Sequence, residues 1–441
     1  MKLLLNSTNS KKYIESSSFI AANFLLFLFF FYNLTENSLF FFVGVFSFFL
    51  FLCVFNIDDL TLICSIIIPN LMMIKKIDSS SALVGYFMLI IELKYLLKLY
   101  VKDKNITLNF SVLLFLISCV FSFIVSFELS FISSIVRNFF FFTFCFLFFK
   151  EKVKDVKYIE RLIKYYIYGT SLVVVLGVIY DLINGYDLFA GYFSGIRNDR
   201  NYFSSVLSVG ISTSILYYYY YKRLNSFGFY CNVIVMTSGG ILSASRTFFL
   251  SLFFSIILIV LLPSLKTKLK TLSVIFFLFY FALMLYGDRI ISTIENVVSR
   301  FSDETAEGGS GRWVLWEFYL SEVFKSIKTV VLGCGAATTA INNGIIKNVE
   351  HNTVVQALYS FGFSGLMSYV YMIFKFFQST GILLKTCKLY MFMPLCSLIF
   401  CYMGISGFMS DNFNFALIIC ILLIAYSITR EGNKGHESCS N

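Results

Sequence analysis

Apolar stretches of about 17 to 25 residues, the length a helix needs to cross a bilayer, recur from Ser18 almost to the end of this 441-residue chain. Hydrocarbon offers backbone N–H and C=O groups no water, so a segment that crosses it must satisfy those groups internally. The runs therefore read as the helices of an all-α, polytopic integral membrane protein. Composition agrees: 58% of residues are hydrophobic, 19% aromatic and only 14% charged, with three prolines, far from the usual soluble mixture. No length remains for a separate soluble catalytic domain.

Hydropathy over windows of about 19 residues predicts roughly fourteen spans (12 to 14). They divide the chain into a helix bundle over 1–286, a long extracytoplasmic loop over 287–352, further spans over 353–429 and a cytoplasmic tail over 430–441. Lysine-rich connections mark the cytoplasmic side: Lys98 and Lys102, "KEKVKDVKYIERLIK" from Lys150, Lys222 with Arg223, "KTKLK" from Lys266, and Lys385 with Lys388 all fall on one face. Lys75 and Lys76 fall on the other and are the discordant pair. The N-terminal run lacks a small-residue cleavage site and reads as a retained anchor.

The formal charge of +10 is scattered through short loops and forms no continuous basic face, which argues against nucleic acid. Most of the eleven cysteines lie inside apolar runs without a CxxC pair, where cysteine behaves as a small hydrophobe. Asp303, Glu304 and Glu307 sit in the Gly-rich stretch "DETAEGGSG" and read as a solvated loop. No metal or other cofactor is expected.

Arginine is sorted against the positive-inside trend. Six of ten (Arg197, Arg200, Arg246, Arg289, Arg300 and Arg312) fall on the predicted outer face. A guanidinium keeps its proton and matches phosphate oxygens with a rigid fork of donors, so an outer pyrophosphate ligand fits. For Arg289 and Arg300 plain solvation or snorkelling is the competing reading. Arg246 lies in a very short connection, "GGILSASRTFFLS", and Arg200 opens an apolar helix after the polar loop "GIRNDRN". Arg137 falls inside a span, where it marks a functional candidate or pairs with a backbone group or carboxylate. Within the long loop, "RWVLWEFYLSEVFKSIK" predicts one amphipathic helix, with Glu317, Ser321, Lys325 and Lys328 on one face and Trp313, Trp316, Leu320 and Phe324 opposite, lying on the membrane or across the bundle mouth.

In order, "SRTFFL", "GRWVLWEF", "LGCG" and "HNTVVQALYSFGFSG" resemble motifs of the O-antigen and capsular polysaccharide repeat-unit polymerases and O-antigen ligases. The resemblance covers mainly residues 198–365. It implies a metal-independent glycosyltransferase in the bacterial cytoplasmic membrane, acting on its outer side, with polyprenyl-pyrophosphate-linked oligosaccharide as donor and acceptor. Carried over, Arg246 and Arg312 hold the donor pyrophosphate and His351 is the base. Arg197, Arg200, Glu350 and Asn352 flank them as substrate-binding residues, with the Glu350 carboxylate as the alternative proton acceptor. A chain-length regulator and a flippase are the partners such an enzyme implies.

The chemistry points the same way. A hydroxyl attacking an anomeric carbon must lose its proton, and an imidazole, with an unperturbed pKa of about 6.5, is suited to take it near neutrality. The departing lipid pyrophosphate needs its charge stabilised, which arginines in a water-poor pocket supply. His351 is one of two histidines in the chain; the plainer alternative is an interfacial residue beside a helix cap, with Asn352 as the cap in either case. The glycines of "GCG" and "FGFSG" read as a turn and a close helix contact. Two other functions stay open: a ligase that moves finished glycan to lipid A or another acceptor, and a transporter of the same lipid-linked sugars.

Overall fold

The computed structural model describes residues 2–71, 80–102, 106–126, 129–188, 193–195, 199–220, 227–243, 245–260, scattered positions between 265 and 295, 312–335, 351–381, 387–405 and 409–438. Among these every regular element is a helix, as a chain that must satisfy its backbone inside lipid requires. Five stretches are long and apolar enough to cross a membrane: Ser17–Thr35, Ile132–Lys152, Val156–Ile183, Thr353–Ser379 and Phe413–Glu431. Shorter apolar helices accompany them at Ser38–Val54, Phe110–Val125, Phe227–Leu242 and Leu389–Tyr402.

The first half comprises α1 (Lys2–Thr35), α2 (Ser38–Val54), α3 (Ile57–Leu71), α4 (Ser80–Val101), α5 (Phe110–Ser126), α6 (Leu129–Phe144) and α7 (Val156–Ile183). A π turn, Cys145–Phe149, extends α6 to Lys152. The second half comprises α8 (Arg200–Tyr220), α9 (Phe227–Leu242), α10 (Arg246–Val260), α11 (Arg312–Val323), α12 (Ile327–Leu332), α13 (Thr353–Ser379), α14 (Met393–Tyr402) and α15 (Asp411–Ser438).

Helix α8 is the axis of the second half, packed by α7, α9, α10, α14 and α15. It is rich in serine, and Ser204, Ser205, Ser208, Ser212 and Ser214 are all buried. Their small side chains let neighbours close in. Four of the hydroxyls donate to carbonyls within the helix, Ser204 and Ser205 to Asn201 at 2.9 and 2.7 Å, Ser208 to Ser204 at 2.9 Å and Ser212 to Ser208 at 2.8 Å. A helix with so little hydropathy is accommodated here because other helices surround it.

The two ends of the bundle differ chemically. At one end lysines find carboxylates and carbonyls: Lys152 pairs with Asp58, Lys388 with Glu431 at 2.6 Å, and Lys94 donates to the carbonyls of Leu52 and Phe55. Arg430 joins them, 3.3 Å from Glu160. The opposite end holds the starts of α8, α10, α13 and α15. Lys75 and Lys76, the discordant pair of the charge pattern, lie outside the described residues.

One expectation is corrected. The helix expected to run from Arg312 through Lys328 breaks at Ser326, where the Ser326 side chain accepts from the Thr329 N–H at 3.1 Å and the Thr329 hydroxyl accepts from the Ser326 N–H at 3.2 Å. This reciprocal capping box starts a second helix. The polar face is as expected, with Glu317, Ser321, Lys325 and Lys328 exposed, but Phe324 is exposed too. Tyr319 and Val323 are buried instead, with Leu315 and Trp316 beside them, against Val355 and Tyr359 of α13. The Tyr319 and Tyr359 rings meet edge to face at 4.7 Å, a favoured aromatic geometry. The segment is docked on α13 through these residues.

Candidate functional site

Two of the candidate arginines begin helices that are tied together at their first turns. Asp199 accepts from the N–H of Asn201 at 2.7 Å and so caps the α8 start at Arg200. The Asn201 side-chain oxygen accepts from the Ser245 hydroxyl at 3.0 Å, and Ser204 donates to Ser245 at 2.8 Å. Ser245 immediately precedes Arg246, the first residue of α10. Two helices more than forty residues apart in sequence thus present Arg200 and Arg246 at the same end of the bundle. Both arginines are partly buried.

His351 and Asn352 reach that end through the turn after α14. Asn352 caps α13, its side-chain oxygen accepting from the N–H groups of Val354 and Val355 at 2.9 and 3.1 Å. Its amide donates to the Met403 carbonyl at 3.5 Å, and the Thr353 hydroxyl donates to the Ile405 carbonyl at 2.8 Å. Between those carbonyls lies Gly404, where an added methyl would come within 2.6 Å of Thr247 Oγ1. The three-residue segment 403–405 is therefore clamped by the neighbour of Arg246 on one side and the neighbours of His351 on the other. His351 has φ 49°, a left-handed conformation that is uncommon outside glycine and tends to persist where function or packing demands it.

Four helix N-termini, those of α8, α10, α13 and α15, converge here. Each carries a partial positive charge that favours anions, although first-turn N–H groups of α8 and α13 are already held by the Asp199 and Asn352 caps. Carbonyls of two helix C-termini at the same end are answered internally: Ser243 donates to Gly240 of α9 at 2.6 Å, and Asn352 and Thr353 serve the turn after α14. Tyr202 packs on Phe413 of α15, ring centroids 5.4 Å apart.

The other candidates distribute as follows. Arg312 is the first residue of α11, which packs on α13. Arg197 and Glu350 lie outside the described residues, as do Arg289 and Arg300. Arg137 is buried and faces Asp411, Nε to Oδ2 3.5 Å, so the carboxylate alternative holds for it. Cys334 of "LGCG" is no neutral-pH nucleophile: burial pushes its thiol up to about 11, and only the thiolate attacks. Among the described residues no group of His, Cys, Asp and Glu could hold a metal ion.

The glycine motifs have a structural role. Gly333 (φ 83°) and Gly362 (φ 64°) are pressed together, and a methyl on Gly362 would meet the Val331 carbonyl and lie 2.6 Å from the Gly333 N–H nitrogen. The Cys334 N–H donates to the Tyr359 carbonyl at 2.6 Å, filling the gap in the α13 ladder that the bend at Gly362 opens. Gly362→Ala is expected to cost about 1 to 3 kcal/mol through overpacking, together with the left-handed strain. Amide exchange should accelerate across 327–334 while α8 stays protected; unchanged exchange there would show that the glycine pair does not dock α12.

Sequence reasoning missed Asn201, Ser245, Thr247, Thr353 and Gly404, the small residues that fasten the helix starts to one another. No family model, curated protein or solved structure matches this chain.

Proposed function

We propose that this protein is a membrane-embedded glycosyltransferase that joins polyprenyl-pyrophosphate-linked oligosaccharide repeat units into a longer glycan. The observation that carries the reading is the convergence of Arg200, Arg246 and His351 with four helix N-termini at one end of the bundle. Two guanidiniums and the positive ends of the helix dipoles suit a pyrophosphate, and stabilise negative charge as it develops on the leaving group. The imidazole takes the proton of the attacking hydroxyl. Bond making at the anomeric carbon and departure of polyprenyl pyrophosphate then balance without a metal ion or nucleotide.

In this reading the lysine-rich end faces the cytoplasm of a bacterial cell and the arginine end faces outward, with about fourteen spans and residues 287–352 as the outer segment over the site. Arg312 joins the site from that outer side, and Arg197 and Glu350 are assigned to substrate binding by the resemblance alone. Purified protein in liposomes, supplied only with polyprenyl-pyrophosphate-linked single repeats, should give a ladder of lengthened glycans. A folded protein that makes no ladder but transfers preformed long glycan to lipid A is a ligase; one that only moves the lipid-linked sugar across the bilayer is a transporter.

A further inference from the structure

We infer that the lysine-rich end carries a separate binding site for the phosphate headgroup of an anionic phospholipid. A cavity of about 980 Å³ opens there between the start of α5, the π turn after α6 and the end of α13. Lys150, Lys154 and Lys375 line it against a single carboxylate, Glu151. Lys375 is held in place by Gln378 at 3.1 Å and lies 5.6 Å from the centre of the Tyr371 ring. Lys150 and Lys154 make no ion pair or hydrogen bond among the described residues, unlike Lys152 between them, which is paired with Asp58. Of the hydroxyls in the wall, Ser111 donates to Asn109 at 2.7 Å, and Ser379 and Thr380 donate to the carbonyls of Phe376 and Phe377, each at 2.7 Å. The three ammonium groups, with the Thr107 and Tyr371 hydroxyls of the same wall, are thus donors left for a ligand, and the ammoniums favour an anion.

The surroundings select a lipid over a soluble phosphate. From the cavity mouth an exposed apolar stripe runs along α5 through Phe110, Leu113, Ile117 and Ile124, and another along α13 through Phe374, Val370 and Met367. These helices pack on each other, with Phe115 against Tyr369 at 5.6 Å and Ser122 donating to the Ser360 carbonyl at 2.6 Å. A headgroup seated among the lysines therefore has its acyl chains beside two faces already suited to lipid. Basic pockets between membrane helices commonly hold anionic headgroups. The π turn, a rare element that often marks functional positions, forms part of the wall through Phe146 and Leu147.

The site is independent of the proposed transferase chemistry, and its test measures no activity. Native protein would be released from nanodiscs of phosphatidylcholine containing a minority of phosphatidylglycerol, and the retained lipid read by native mass spectrometry. The Lys150→Gln/Lys154→Gln/Lys375→Gln variant should lose phosphatidylglycerol about tenfold, while the triple Lys→Arg variant keeps it. Equal retention in the Gln variant overturns the proposal. Should the Gln variant not fold, glycerol phosphate added to native protein decides: if the soluble headgroup binds the cavity as strongly as the lipid and displaces it, the site belongs to a soluble phosphate. If millimolar glycerol phosphate leaves the lipid bound, the lipid assignment stands.

Discussion

His351→Ala and Arg246→Ala proteins, inserted normally, are expected to lose chain extension by at least about a hundredfold each, because a positioned base contributes roughly 10²–10⁴ and one group stabilising a developing anion about 10²–10³. Neither substitution should unfold the bundle. The α13 cap belongs to Asn352, and the α8–α10 tie belongs to Asn201, Ser204 and Ser245. Arg246→Lys keeps the charge but loses the fork of donors, so it should fall between native protein and the alanine variant. The double variant should be little worse than the weaker single one, since groups serving one transition state are strongly non-additive. Glycan length resolved on gels, with protein amount and detergent-extracted monodispersity matched, measures all four. Long glycan from either alanine variant would remove that residue from the mechanism.

The same substitutions separate the readings of function. A transporter that used Arg246 only to hold pyrophosphate would lose affinity for lipid-linked sugar, yet His351→Ala would leave movement across the bilayer intact. A transferase loses turnover at both positions while binding of the donor survives in His351→Ala. The imidazole is thus the more diagnostic of the two residues.

Helical membrane architecture was legible from periodic apolar length alone, because lipid leaves the backbone few other solutions. Helix starts carrying Arg200, Arg246 and Asn352 were legible too, since polar capping residues interrupt the apolar runs there. What brings those starts together was not. Asn352 and Thr353 reach Met403 and Ile405 across about fifty residues, and Gly404 touches Thr247 across far more; no local pattern encodes such contacts. Periodicity also failed at Ser326, where the apolar spacing continues in phase while a local capping box stops the helix. Phe324 looked like part of a buried face for that reason. Buried carboxylates were overlooked as well: Glu92, fully buried with neither oxygen hydrogen-bonded among the described residues, reads in sequence as one charge within an apolar run. Asp411 hides in the polar turn "MSDNFNF", where a helix cap is the obvious explanation.

Asp411 is the residue whose loss should destabilise the fold most. It lies 3.5 Å from Arg137 in the interior, and the Arg137 Nε and Nη1 atoms have no hydrogen-bond partner of their own. Among the described residues only a long contact from Nη2 to Ser134, 3.4 Å, and the Tyr86 ring at 5.4 Å otherwise attend the guanidinium. Asp411→Ala strands that charge, and breaking one side of a buried pair costs about 3 to 5 kcal/mol. Arg137→Met with Asp411→Leu removes both charges and fills the space, so most of the loss should return, because hydrophobic replacement of a buried pair is often neutral or better. Adjacent polar contacts survive in either case: Asn414 donates to Asn138 at 2.6 Å, Tyr369 donates to Asn414 at 2.8 Å, and Asn138 holds the Met409 carbonyl at 3.1 Å. Thermal unfolding in one detergent at fixed lipid content, run as a double-mutant cycle, gives the answer. A double variant no more stable than Asp411→Ala would mean that Asp411 acts through the α15 start and the turn beside Asn352, and the pair would then belong to the architecture of the candidate site rather than to the stability of the bundle.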